Sequence, residues 1–158
     1  MQLLVSDLVL EVPSGWHVDE GRSAGPEGVI VLRPDVGPAS GFVVNAVVAV
    51  DPVDAGTSVA DVLDAGDETL RGQGARVEHV ATERVGAGDV EAAVRFVGVF
   101  DAGWPGELSQ LRAAVARPGA TGCDMVQVVA TCEAADAPAY LGDVVAMLEA
   151  MELVAPAP

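Results

Sequence analysis

The residues that come closest to forming a chemical pattern are arginines on alternating strand positions. Val90–Phe100, Glu107–Ala116 and Asp124–Cys132 read as consecutive long strands, and side chains two positions apart in a strand share a face. One face of such a sheet carries Glu91 and Arg95, then Gln110 and Arg112, then Gln127 and Thr131, with Asn45 able to join from an earlier strand. Two guanidinium groups on one small polar surface can recognise a carboxylate or similar anion through paired N–H donors. The ordinary alternative is a solvated face of an antiparallel sheet. Trp104, in a turn between Gly103 and Pro105, could anchor a partner or fold back to cover the sheet edge.

Other chemistries find no support. His17 and His79 have no partners at ligand spacing, and neither an HExxH run nor a paired-cysteine pattern occurs, so no metal site is expected. Asp61, Asp64, Asp67 and Glu68 sit in a helical segment, where they spread over its exposed side; an EF-hand needs a loop with a central glycine. Ser14, Ser40 and Ser109 lie in no nucleophile elbow, and two unplaced histidines leave a catalytic triad unsupported. The glycines of Gly72-Gln-Gly74 and Gly86-Ala-Gly88 lack the strand-to-helix context of a dinucleotide loop. With no lysine in the chain, a Walker A loop and a Schiff-base mechanism are both excluded. No catalytic residue and no cofactor is expected.

Charge narrows the partners. Eight arginines face 24 acidic residues, a net charge of −16. Nucleic acids and anionic membrane surfaces both require a basic footprint that these residues can barely assemble. The acidity keeps the chain in solution, and it also favours a basic partner. The first residues lack a basic region and an uninterrupted apolar run, so they do not read as an export signal. Cys123 and Cys132 lie nine positions apart in or beside one strand. They are therefore about 30 Å apart on opposite faces, and cannot bridge each other. A cytoplasmic location with free thiols is expected.

The elements that must position these residues follow from periodicity. Leu8–Pro13, Gly28–Arg33 and Gly41–Val50 read as strands, the last with alternating apolar positions and closed by Asp51-Pro52. Ser58 and Asp61 have capping-box spacing and open a helix that buries Val59, Val62, Leu63 and Leu70 and ends at Gly72 and Gly74. Gly66 costs that helix about 1 kcal/mol against alanine, a cost explained by a close approach to the sheet. Ala75–Val85 is a further strand, with Gly86-Ala-Gly88 turning the chain into the three-strand meander. Asp101–Gly106 and Arg117–Gly122 are its turns. Asp136 is expected to cap a last helix with Leu141, Val144, Val145 and Leu148 on its apolar face. The order is β-β-β-α-β-β-β-β-α: an α+β fold with a mostly antiparallel six- to seven-stranded sheet and two helices packed on it. At 158 residues one core suffices, burying roughly 70% of the unfolded surface. Residues 1–154 are expected to form a single domain, with 155–158 a frayed tail.

The opening Val12-Pro-Ser-Gly-Trp16 resembles the hallmark of the PsbP-like fold, especially its bacterial LpqN/DcrB-type branch. The stretch Phe42-Val-Val-Asn45 before a helix capped by Ser58, and the closing Met147-Leu-Glu-Ala-Met-Glu-Leu153, resemble it too. The resemblance implies an α/β/α sandwich and a non-enzymatic role, because members of that fold mostly bind or assist other proteins. One departure is that LpqN and DcrB relatives are typically exported lipoproteins, whereas no signal or lipobox cysteine is read here. An envelope role therefore does not carry over.

Two readings follow. The first is a protein-binding accessory or chaperone-like domain that takes a basic partner through Arg95, Arg112, Gln110, Gln127, Asn45 or Trp104. The second is a carrier of a small anion, in which a helix closes the polar face into a pocket. That face could equally pair with a second copy of the chain as a homodimer.

Overall fold

Alternating apolar residues build one large sheet, and its two faces meet different neighbours. The structure is a computed structural model that describes residues 1–5, 8–24, 28–54, 56–84, 91–116 and 123–153, with the backbone alone at 123, 124 and 153. The strands are β1 Gln2–Val5, β2 Leu8–Glu11, β3 Trp16–Val18, β4 Ile30–Pro34, β5 Asn45–Val53, β6 Arg76–Arg84, β7 Glu91–Phe100, β8 Leu108–Ala116, β9 Cys123–Glu133 and β10 Glu152–Leu153. Helix α1 Val59–Gly72 joins β5 to β6, and α2 Ala137–Glu149 follows β9. Seven strands pair antiparallel in the order β3-β4-β5-β9-β8-β7-β6, while β1, β2 and β10 make a second small sheet. This is the α+β fold that the periodicity predicts. Among the described residues no helix is long and apolar enough to cross a membrane.

The main core lies between one face of the large sheet, α2 and the small sheet. Ala92, Val94, Leu111, Val115, Val128 and Ala130 supply the sheet side as expected, and Leu141, Val144 and Leu148 meet them from α2. Phe100, expected with them, is only partly buried, and the Arg76 guanidinium lies over its ring at 4.1 Å. Trp16 is buried, donates from Nε1 to Asp143 Oδ2 on α2 at 2.9 Å and meets Tyr140 edge-on.

Several local expectations are corrected. β5 starts at Asn45, not Gly41, and runs through Pro52 instead of stopping before it. Proline is tolerated there because β4 reaches only Ala46–Val48; beyond them β5 has β9 alone as neighbour, so Pro52 lies on a local edge. The short strands β1, β3 and β10, of four, three and two residues, are absent from the periodicity reading. Asp136 makes no side-chain cap; the 3₁₀ turn Ala134–Asp136 leads into α2 instead, and Pro138 sits in the first turn as expected. Met147 joins the buried face of α2. The expected turns at Gly86–Gly88 and Arg117–Gly122, Val90, the side chain of Cys123 and the tail at 155–158 lie outside the described residues.

Candidate functional site

The second face of the large sheet is where the polar residues gather, and α1 covers only part of it. α1 begins where Ser58 Oγ accepts from the Asp61 amide at 3.0 Å, while Asp61 Oδ2 accepts from the Ser58 amide at 2.9 Å, completing the expected capping box. Those hydrogen bonds hold the exposed Asp61 carboxyl below the usual carboxylate range. Val59 and Leu63 then pack on Ala93, Ala114 and Met125. Near the far end of the helix, partly buried Leu70 packs against Ala75, Val97, Val99 and Leu108. The helix thus lies over β8, β7 and β6. The part of this face on β5 and β9, with Asn45, Val47, Gln127, Val129 and Thr131, stays partly exposed.

Asp67 corrects the sequence reading. It was expected on a solvated side with Asp61, Asp64 and Glu68, yet it is buried on the same stripe as Val59 and Leu63. Burial of a lone carboxylate is costly, and Arg95 offsets it. Arg95 Nη1 donates to Asp67 Oδ2 at 3.0 Å and to Asp64 Oδ1 at 2.6 Å. The Arg95 side chain is 12% exposed and that of Asp67 8%, against 68% for Asp64, so Asp67 is the buried partner. Burial pulls the Arg95 guanidinium down, but the hydrogen bonds and charges of Asp64 and Asp67 outweigh it and leave it raised. Arg95 therefore ties α1 to the sheet. Periodicity contained the signal for this, since residue 67 follows Leu63 by four positions.

Arg112 sits differently. It lies opposite Arg95 on β8, and its Nε donates to Gln110 Oε1 at 2.6 Å. Gln110, itself buried, passes the chain on by donating to Thr131 Oγ1 at 3.1 Å. Among the described residues, the terminal nitrogens of Arg112 meet no hydrogen-bond acceptor and no carboxylate within ion-pair distance. Burial lowers the Arg112 pKa, the Asp67 charge acts to raise it, and the Arg95 charge lowers it. Gly66 gives this guanidinium its space: a Cβ there would come within 1.8 Å of Arg112 Nη1. The close approach expected of Gly66 is thus to an arginine rising from the sheet.

Arg112 stands in a cleft of about 590 Å³. One wall is α1 at Val62, Ala65, Gly66 and Thr69; the other is the end of β5 at Val53 and the segment after it at Asp54 and Thr57. Gln127 lies beside Arg112 and donates from Nε2 to Asp51 Oδ2 at 2.7 Å. Among the described residues, the acids Asp51, Asp54 and Asp61 line the cleft and Arg112 is the one cation. A cleft of about 650 Å³ near Trp16 has its Trp16–Asp143 pair already joined, and one of about 370 Å³ beside Phe96 and Leu141 is almost wholly apolar.

Of the six candidate residues, Asn45, Gln110, Arg112 and Gln127 share this face with Arg95. Asn45 opposes Thr131 in the ladder and donates to the Val43 carbonyl. Trp104, in the β7–β8 turn, packs against the same Val97, Val99 and Leu108 cluster as Leu70 and is partly buried against Phe42 with ring centroids 4.9 Å apart, its Nε1 donating to Glu133 Oε1 at 3.0 Å. His17 bonds Asp35 and His79 bonds Thr82. Among the described residues no three His, Cys, Asp or Glu side chains come together as metal ligands. Burial pushes the Cys132 thiol up to about 12, with the Asp136 and Glu133 charges adding to the shift.

No protein-family model matches the chain, and no curated protein does. Solved structures do. LpqN of Mycobacterium tuberculosis, described as involved in cell envelope biogenesis, aligns with a TM-score of 0.69 at 12% identity, over 94% of this chain and 83% of that one. The cyanobacterial PsbP of Synechocystis gives 0.62 at 16% identity, over 94% and 87%. The Ran-binding protein Mog1p of Saccharomyces cerevisiae gives 0.61 at 13% identity, over 94% and 90%. The chain has the PsbP-like fold, with an LpqN-type protein among its structural neighbours.

Proposed function

We propose that this chain is a non-enzymatic binding domain that assists another protein and receives a basic part of it on the α1 side of the large sheet. One observation carries the reading: α1 leaves the β5–β9 part of that face partly exposed, beside a cleft lined by Asp51, Asp54 and Asp61. A sheet face with a wall along one side can seat a segment of another chain, and the acids select its charge. The net charge of −16 steers a basic protein toward the same surface. The name of the neighbour Mog1p, a Ran-binding protein, is in keeping with this reading. Asn45, Gln110, Arg112 and Gln127 are the proposed contacts on this face; Arg95 serves it by holding α1 in place, and Trp104 is taken up by packing with Phe42 and by its bond to Glu133.

A small-anion carrier is the second reading, and only Arg112 favours it. The three acids around the cleft oppose a free anion. The two separate in one experiment. The tagged protein is drawn from its own cells at low salt beside an Asp54→Arg variant, whose exposed change leaves the fold intact. A stoichiometric basic protein that is released as salt rises and lost on Asp54→Arg is the expected result. A partner held equally by the variant, or no partner at all, overturns it.

A further inference from the structure

We propose that the Arg112 cleft captures the carboxyl terminus of a chain that ends in a basic residue. This rests on the reading above and names the chemistry of the partner. Arg112 is partly buried, and among the described residues only its Nε is engaged, by the neutral side chain of Gln110. A desolvated guanidinium with unpaired terminal N–H groups is a preformed fork for a carboxylate. The space for that fork exists because residue 66 has no side chain; any Cβ would fill it. Gln127, whose amide donates to Asp51, and Thr69, whose hydroxyl donates to the Ala65 carbonyl, line the same cleft.

The surrounding charge then decides what kind of carboxylate fits. Among the described residues, Asp51, Asp54 and Asp61 line the cleft with one arginine among them, so a bare anion meets net repulsion on entry. A group that is negative at its tip and positive a few atoms away satisfies both parts. The terminal residue of a chain ending in arginine or lysine has this layout: its α-carboxylate reaches Arg112 while its side-chain cation lies against the acids. An internal basic segment lacks the carboxylate. The cleft volume of about 590 Å³ falls within the ordinary size of ligand sites.

The test uses peptides on the full chain, followed by calorimetry at low salt. An acetylated tetrapeptide Ala-Ala-Ala-Arg with a free carboxyl terminus is compared with its carboxamide, with the same peptide ending in alanine, and with free L-arginine. The free-acid arginine peptide is expected to bind, and both the carboxamide and the alanine peptide to bind about 10- to 100-fold more weakly, the loss of one charge-assisted contact each. Arg112→Gln should abolish the preference for the free acid while thermal stability is retained. Asp54→Asn, an exposed change that cannot disturb the core, should weaken the arginine peptide and leave the alanine peptide unchanged. Equal binding of acid and carboxamide overturns the proposal, as does a free-acid preference that survives Arg112→Gln. Free arginine binding as tightly as the peptide also overturns it, because the ligand is then a free amino acid. Failure of the peptides alongside retention of a salt-sensitive basic partner removes this proposal and keeps the protein-binding reading. Peptide binding without any cellular partner does the reverse.

Discussion

Arg95 and Arg112 have similar sequence surroundings and opposite fates, and the difference lies in what α1 sets above each. Over Arg95 it sets Asp64 and Asp67; over Arg112 it sets a glycine. A single carboxylate also determines where that helix starts. The folded-state pKa of Asp61 is depressed by its bonds to Ser58, so its stabilising effect is complete above the unfolded value, near about 3.9 for aspartate. The effect is lost as pH falls through the lower, folded value. Replacing Asp61 with Asn should therefore cost a constant amount of stability from neutral pH down to about pH 5, a cost that fades at lower pH. Urea unfolding of both proteins from pH 7 to pH 3 checks this. A cost independent of pH would mean that the charge on Asp61 contributes nothing to the cap.

Helix α1 forms from local signals but docks through non-local ones. The capping box and the Val59–Leu63 spacing are legible in the chain, and the helix ends at Gly72, the first of the two glycines expected to stop it. Its partner on the sheet is not legible, because strand register pairs Arg95 with a carboxylate 28 positions away and nothing local encodes that distance. Polarity also misleads: Asp67 occupies an apolar-stripe position, and its side chain argues against burial until Arg95 is found beneath it. Breaking a buried pair by removing one member costs about 3–5 kcal/mol, because the other charge is left stranded. Arg95→Ala should approach that cost. Asp64→Asn, on the exposed partner, should cost no more than about 1 kcal/mol. Denaturant midpoints of the two variants check the ranking, and hydrogen exchange in α1 locates the loss. Equal, small costs would show that apolar packing alone holds the helix. The polar face itself follows from alternation, whereas the cleft depends on where α1 stops covering it.

For the whole molecule, charge has opposite effects on stability and on binding. With 24 acidic side chains against eight arginines, like-charge repulsion acts on the folded state more than on the expanded one. The ion pairs that oppose it are mostly exposed, as at Arg71–Glu68 and Arg76–Glu78, where each contributes little and is itself screened. Salt shortens the reach of every exposed charge to about 10 Å at 0.1 M, so it removes more repulsion than attraction. Raising sodium chloride from 10 mM to 300 mM should therefore raise the melting temperature by a few degrees, the shift that about 1 kcal/mol produces in a chain of this size. The same salt should loosen a basic partner, since its attraction is screened as well. Melting curves and binding isotherms measured across one salt series test both slopes together. A melting temperature that falls with salt would show that the exposed pairs outweigh the net charge. A complex that tightens with salt would mean that contact with the sheet face is apolar, and that the acids around Arg112 do not select the partner.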